Sequence, residues 1–358
     1  MKDLHGGNIY KFQREGKNDI LDYSSNINPL GVPQKFVDIA KESFDKLISY
    51  PDPYYIELRK KIAKFNSVDM NNIIVGNGAT EILFLYIRAL KPKKVLILAP
   101  CFAEYERALK SVSAKISYFE LKESDNFYPN IENLKKEIET NNYDLLLFCN
   151  PNNPTGQFIK LQDIKKIIDI CENKSTKIFV DEAFIEFIEN WQEKTVSLFK
   201  NKNVFIMRAF TKFFAIPGLR LGYGIGFDEE ILDKIWDEKE PWTVNTFANL
   251  AGLVMLDDKE YIEKSKNWIL EEKKFMYKEL SEFQYIKAYK TECNFILLKI
   301  QNISSASLRD KMIEKNILIR DASNFKFLDY HFVRLAIKDR ESNIKVLEAL
   351  ADIMEYRG

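Results

Sequence analysis

From residue 73 onward, short runs of apolar, β-favouring residues alternate with stretches of helical periodicity, and this alternation narrows the possible folds more than any other feature. "NIIV" leads through "GNGATE" into "EILFLYIRAL", "KVLILAP" into "AEYERALKSV", and "DLLLFCN" through "PNNPTG" into "DIKKIIDICEN". "KIFVDEAF", "NVFIMRAF" and "LRLGYGIG" supply further strands. A strand that is apolar at nearly every position is buried on both faces, and a helix between strands provides the crossover that parallel pairing needs. The reading is an α/β protein with a mostly parallel sheet.

Such sheets bind ligands at the carboxyl ends of their strands. The polar punctuation falls there: Gly76 to Thr80, Pro100 to Phe102, Asn150 to Gly156, Asp181 and Lys212. Five strand ends are thus expected to converge on one crevice. Beyond the amphipathic run "DKEYIEKSKNWILEEKKFMYKELS", the segments "CNFILLKI", "NILIRD" and "HFVRLAI" read as strands of a smaller C-terminal α+β domain. Ahead of residue 33, "DYSSNINPLGVP" reads as an irregular arm, followed by the helix "PQKFVDIAKESFDKLI". The expected division is an arm over 1–32, a large domain over 33–250 and a small domain over 251–358.

Composition removes several function classes. Lys plus Arg and Asp plus Glu both number 53, so the charge balance favours neither nucleic acid nor an anionic membrane as a partner. The cysteines Cys101, Cys149, Cys171 and Cys293 lack metal-ligand spacing, and with His5 and His331 the only histidines, no metal site is expected. No run of about 18 apolar residues occurs, and "MKDLHGGNIYKFQREG" has no apolar signal core. The expectation is a cytoplasmic protein.

The stretch "RAFTKFFAIPGLRLGY" places Lys212 among Phe213, Phe214 and Ile216. A buried ammonium without a partner is costly, and a lowered pKa leaves the neutral amine that a Schiff-base lysine needs. "GNGATE" opens a helix directly after a strand, so the free N–H groups of Ala79 and Thr80 suit a phosphate. It lacks the dinucleotide glycine spacing, which disfavours a nicotinamide dehydrogenase. Asp181 ends the strand "KIFV" and suits a protonated ring nitrogen, Asn153 offers an amide to a phenolate oxygen, and Arg220 offers a planar fork to phosphate. Each alone has an ordinary explanation as a snorkelling lysine, a helix cap, a turn or a surface ion pair. Together, in this order on successive strands, they form the set of groups that pyridoxal phosphate requires.

With these residues in view, the sequence resembles the fold-type I pyridoxal-phosphate enzymes of the aminotransferase superfamily from His5 to the C-terminal helix. The resemblance implies that Lys212 carries the cofactor imine, Asp181 pairs with the pyridine nitrogen, Asn153 bonds the ring hydroxyl and Phe102 of "PCFAEY" stacks on the ring. It further implies that Ala79, Thr80, Thr211 and Arg220 hold the cofactor phosphate. Tyr50 of "YPDP" resembles the tyrosine that reaches this phosphate from a neighbouring subunit, which implies a homodimer with shared active sites. Two positions depart from the pattern: Ala209 stands where Ser or Thr is usual, and Phe184 where a tyrosine often touches the ring oxygen.

"YPDP", "NNPTG" and "GLRLGY" are shared with histidinol-phosphate aminotransferases. "HGGN", "NINPLG", "FAEY", "DEAF", "TKFFAIPGLRLGY" and "PWTVN" are shared with threonine-phosphate decarboxylases, so the resemblance is closer to that branch. It implies decarboxylation of L-threonine O-3-phosphate in cobalamin synthesis, with histidinol-phosphate transamination as the alternative. His5 and Asn26 match that branch's phosphate contacts, and Arg320 and Arg334 fall where family likeness puts substrate-binding arginines. A cofactor-binding module without turnover is disfavoured, because no basic helix-turn-helix extension is present.

Overall fold

The computed structural model describes residues 5–354. After a two-residue strand β1 (Leu21–Asp22), seven strands build the large sheet. They are β2 (Ile73–Asn77), β3 (Lys94–Ala99), β4 (Lys115–Glu120), β5 (Leu145–Cys149), β6 (Lys177–Asp181), β7 (Val204–Ala209) and β8 (Leu221–Gly226). Their order is β2-β8-β7-β6-β5-β3-β4. Strand β8 runs antiparallel to β2 and β7, and the remaining pairs are parallel.

The apolar runs behave as their composition dictates. Every residue of β5, β7 and β8 is buried, and alternate side chains feed two cores on opposite faces. Leu96, Leu98, Leu146 and Val180 enter one core, and Val95, Ile97, Leu147 and Phe179 the other. Strand β4 and the helix Ile131–Asn141 after it were not read from the sequence. The reason is position: β4 is an edge strand whose residues are half-buried or exposed, so it has no continuous apolar run to announce it.

The reversal of β8 matters for the site. An antiparallel strand starts where its parallel neighbours end, so Arg220, just ahead of β8, arrives at the same sheet edge as the end of β7. The register sets Gly222 opposite Ala209 and Leu221 opposite Asn77.

The C-terminal region adds β9 (Ile286–Ala288), β10 (Phe295–Ile300), β11 (Ile317–Leu318), β12 (Arg320–Asp321) and β13 (Phe332–Ala336). Four of these form an antiparallel sheet in the order β12-β13-β10-β9, in which Arg320 sits directly across from Arg334.

The segment ahead of residue 33 is not irregular throughout. It contains a helix, Ile9–Arg14, and its strand β1 pairs in parallel with β11. The Tyr23 hydroxyl then donates to Asn343 Oδ1 at 2.8 Å, tying the arm to the C-terminal helix Arg340–Ile353. The helix expected over 33–48 divides into Gln34–Lys41 and a 3-10 turn, Phe44–Ile48.

Candidate active site

Strand β7 ends at Ala209 and passes into one helical turn, Phe210–Phe213, that presents Lys212 to the cleft. The turn is pinned from outside the sheet. Asn28 N–H donates to the Lys212 carbonyl at 3.1 Å, and Asn28 Nδ2 donates to the Phe213 carbonyl at 2.8 Å and to Ser265 Oγ at 2.7 Å. Burial, with Arg334 and Arg220 adding like charge, pushes the Lys212 amine down to about 8. The neutral, nucleophilic form anticipated from its apolar neighbours is therefore accessible near neutral pH.

Asp181 closes β6 and is buried. Burial raises its carboxyl to about 6, against the opposing effect of two donors. These are the Tyr105 hydroxyl, 2.6 Å from Oδ2, and the Ala183 N–H, 2.9 Å from Oδ1. Tyr105 went unassigned in the sequence. A buried tyrosine inside a helix looks like core, and the only local signal is its place three residues after Phe102, in the first turn of the helix Glu104–Lys110.

Beneath this pair lies a second buried network. Arg208 Nη2 meets Glu182 Oε2 at 2.7 Å, and both side chains are fully enclosed. Arg208 also reaches Asn66 Oδ1 and Thr195 Oγ1, and its guanidinium lies 4.6 Å from the Trp191 ring. Burial leaves such a pair stable only with its remaining donors satisfied, as they are here.

The phosphate-type cradle forms where β2 turns into the helix Ala79–Leu90. Gly78 caps that helix with φ +82° and no side-chain cap, so the first-turn N–H groups are not taken by a capping oxygen. Arg220 lies over the same turn: a Cβ on Gly78 would sit 2.7 Å from Arg220 Nη2. A Cβ on Gly222 would meet the Ala79 nitrogen at 2.3 Å, so only glycine lets β8 approach the helix start this closely. Thr80 and Thr211 line the same space, as does Ala209, which brings no hydroxyl.

Asn153 is oriented by Arg334, whose Nη1 donates to Asn153 Oδ1 at 2.5 Å; the amide nitrogen is left as the donor end. Arg334 Nη2 donates to the Ser24 carbonyl at 2.7 Å. Burial and the neighbouring Arg320 both pull Arg334 downward, to about 9. Arg320 donates to Asn324 Oδ1 at 2.8 Å and lies 5.2 Å from the Phe325 ring. Two buried guanidiniums side by side make a site that an anion stabilises. His5 and Asn26 border this end of the cleft; Asn26 Oδ1 is buried without a hydrogen-bond partner among the described residues, and His5 Nε2 pairs with Glu104 Oε1 at 2.9 Å.

One cleft thus gathers His5, Asn26, Ala79, Thr80, Phe102, Asn153, Asp181, Thr211, Lys212, Arg220, Arg320 and Arg334. Tyr50 lies elsewhere, 81% exposed, with its ring centroid 4.8 Å from that of Trp242. Phe184 also lines the cleft, its ring edge-on to Phe295.

Residues 18–350 match the family model of aminotransferase class I and II. The chain belongs to that family. Among its relatives is a protein of Caldanaerobacter subterraneus, provisionally named a threonine-phosphate decarboxylase, 43% identical over 98% of this chain and 94% of that one. The threonine-phosphate decarboxylase of Salmonella typhimurium is 33% identical over 98% and 96% of the two chains. A crystal structure of the histidinol-phosphate aminotransferase from Clostridium acetobutylicum superposes with a TM-score of 0.87 at 38% identity, covering 93% of this chain and 99% of the other.

As a class I and II aminotransferase-family member, this is an enzyme dependent on pyridoxal 5'-phosphate. The donor set fits that cofactor: an uncapped helix start beside an arginine, a buried carboxylate held by two donors, an amide donor and a depressed lysine share one cleft. Among the described residues, no helix is long and apolar enough to cross a membrane.

Proposed function

We propose that this chain decarboxylates L-threonine O-3-phosphate to (R)-1-aminopropan-2-yl phosphate, a step of cobalamin biosynthesis. The observation that carries the reading is the second set of anion-binding groups: Arg320 and Arg334, paired across β12 and β13, share one cleft with His5 and Asn26 of the N-terminal segment and with the cradle at Ala79 and Arg220. A substrate bearing both a carboxylate and a phosphate matches two buried guanidiniums. The names of the Caldanaerobacter and Salmonella relatives support the same substrate class.

In this reading Lys212 is the covalent attachment point and the proton carrier. Bound pyridoxal phosphate supplies an electron-withdrawing ring that accepts the electron pair of a bond broken at the substrate Cα. Asp181 would pair with the ring nitrogen and keep it protonated, since the Tyr105 hydroxyl and the Ala183 N–H favour its ionised form. Asn153 would donate to the ring oxygen, Phe102 would cover the ring, and Ala79, Thr80, Thr211 and Arg220 would hold the cofactor phosphate. Arg334 and Arg320 orient the substrate so that its Cα–carboxylate bond is the one aligned for cleavage. Lys212, an amine that carries a proton below about pH 8, would supply the proton that replaces CO2 at Cα.

The enzyme is proposed to act in the cytoplasm as a homodimer, with Tyr50 contributing to the neighbouring cleft. Phe44, Leu47, Ile48, Tyr50, Tyr54 and Trp242 are all large apolar side chains left exposed, Ile48 at 94%, and a second copy of the chain is the occupant this surface suits.

Histidinol-phosphate transamination is the second reading, favoured by the likeness to the Clostridium structure. Parallel assays separate the two. Release of CO2 from threonine phosphate supports decarboxylation; glutamate formed from histidinol phosphate and 2-oxoglutarate, without CO2 from threonine phosphate, reverses the assignment.

A further inference from the structure

Ser24 has no part in the chemistry above, yet its polar atoms tie together three parts of the cleft wall. Its carbonyl accepts Arg334 Nη2 at 2.7 Å. Its hydroxyl accepts the Gly7 N–H at 2.7 Å and donates to Asp22 Oδ1 at 2.6 Å, and its own N–H donates to Asp22 Oδ1 at 2.8 Å. The residue is 2% exposed. Gly6 rests on the same carbonyl, where a Cβ would lie 2.0 Å from the oxygen. One residue earlier, His5 pairs with Glu104 and packs 5.4 Å from the Phe102 ring. The segment His5–Gly7 therefore runs along the cleft from Glu104 to Ser24, and Ser24 holds that segment by its hydroxyl and the arginine by its carbonyl.

We propose that Ser24 is a positioning residue that couples anion binding at Arg334 to docking of His5–Gly7 against the cleft. The proposal rests on the substrate-anion role given above to Arg334. An anion that orders Arg334 fixes the Ser24 carbonyl, and the same peptide is the surface on which Gly6 packs. Coupling of this kind is reciprocal: a docked segment favours the arginine geometry that takes the anion, and the bound anion favours the docked segment. Asp22 anchors the hub, and its charge also faces Lys212, Arg334 and Lys338.

The test uses the cofactor-loaded enzyme with inorganic phosphate as the probe and amide hydrogen exchange at Gly6–Asn8 as the readout. In the wild type, saturating phosphate slows exchange there several-fold. In Ser24→Ala, which removes the hydroxyl that accepts the Gly7 N–H, and in Gly6→Ala, whose Cβ would collide with the Ser24 carbonyl, this slowing disappears, and KM for the phosphorylated amine that the enzyme turns over rises about fivefold to tenfold, the scale of one lost hydrogen bond between the segment and Ser24. The fall in kcat stays within about twofold, since no reacting group is altered. Ser24→Thr, which keeps a hydroxyl, restores both. Wild-type KM in the two alanine variants, or wild-type exchange indifferent to phosphate, overturns the proposal. If neither threonine phosphate nor histidinol phosphate is turned over, the functional reading fails, while the exchange response to inorganic phosphate still decides the coupling.

Discussion

The Tyr105 hydroxyl lies 2.6 Å from Asp181 Oδ2 at the floor of the cleft, 76 residues away in sequence and fully buried. That bond stabilises the carboxylate against the burial that raises it to about 6. Removing it in Tyr105→Phe lets the Asp181 carboxyl rise further. The expected outcome is a loss of about tenfold in kcat/KM at neutral pH, from one charge-assisted bond. The acid limb of the pH–rate profile should also move to higher pH. A profile unchanged in both height and position would show that Tyr105 is only core.

Lys212→Met removes the attachment point, and borohydride should trap no cofactor in the variant. Stability of the cofactor-free protein gives an independent readout. Lys212 is lowered to about 8 from 10.5, so between these values the unfolded chain binds more protons than the folded one, and this group makes stability rise with pH. Below pH 8 the folded protein must hold the charged amine in its cleft. Chemical denaturation should therefore find the variant more stable than wild type at pH 7, with the difference shrinking as pH climbs from 8 toward 10.5. A difference constant with pH would contradict the depressed amine.

Arg334 spends one guanidinium nitrogen on Asn153 and another on Ser24. Lysine cannot make this planar, two-ended arrangement. Arg334→Lys is expected to lower kcat/KM for the phosphorylated substrate by about 10- to 100-fold, as one or two charge-assisted bonds are lost, while cofactor absorbance is retained. Steady-state kinetics and an absorbance spectrum of the same sample check both halves.

Gly222→Ala probes the cradle by sterics alone. Its Cβ would press on the Ala79 nitrogen, part of the backbone that shapes the phosphate end of the site. Cofactor affinity, measured by fluorescence titration, is expected to fall at least about tenfold, with some loss of thermal stability as backbone must shift. Wild-type affinity would show that β8 can give way.

Much of this site was readable in the chain because several of its groups come just after a strand. "KIFVD" buries its apolar residues and delivers Asp181 at its end, and "NVFIMRA" does the same for the turn that carries Lys212. Strand β4 escaped because an edge strand needs no continuous apolar run, and the pairing of β1 with β11 escaped because two residues carry no periodicity. Tyr105, Asn28 and Ser24 escaped for a related reason. Each acts through a partner distant in sequence, and nothing local distinguishes such a residue from core or turn.

The sequence by itself determined the alternation of strand and helix, the location of the cleft at the strand ends, and the chemical types gathered there, because burial periodicity and turn chemistry act over a few residues. Tertiary structure decided the direction of β8, which carries Arg220 to the cradle, and the cross-strand seat of Arg320 beside Arg334. It also decided which buried hydroxyl supports Asp181. Those outcomes depend on which distant segments satisfy one another's hydrogen bonds and charges once water is excluded, and only the assembled fold brings them within reach.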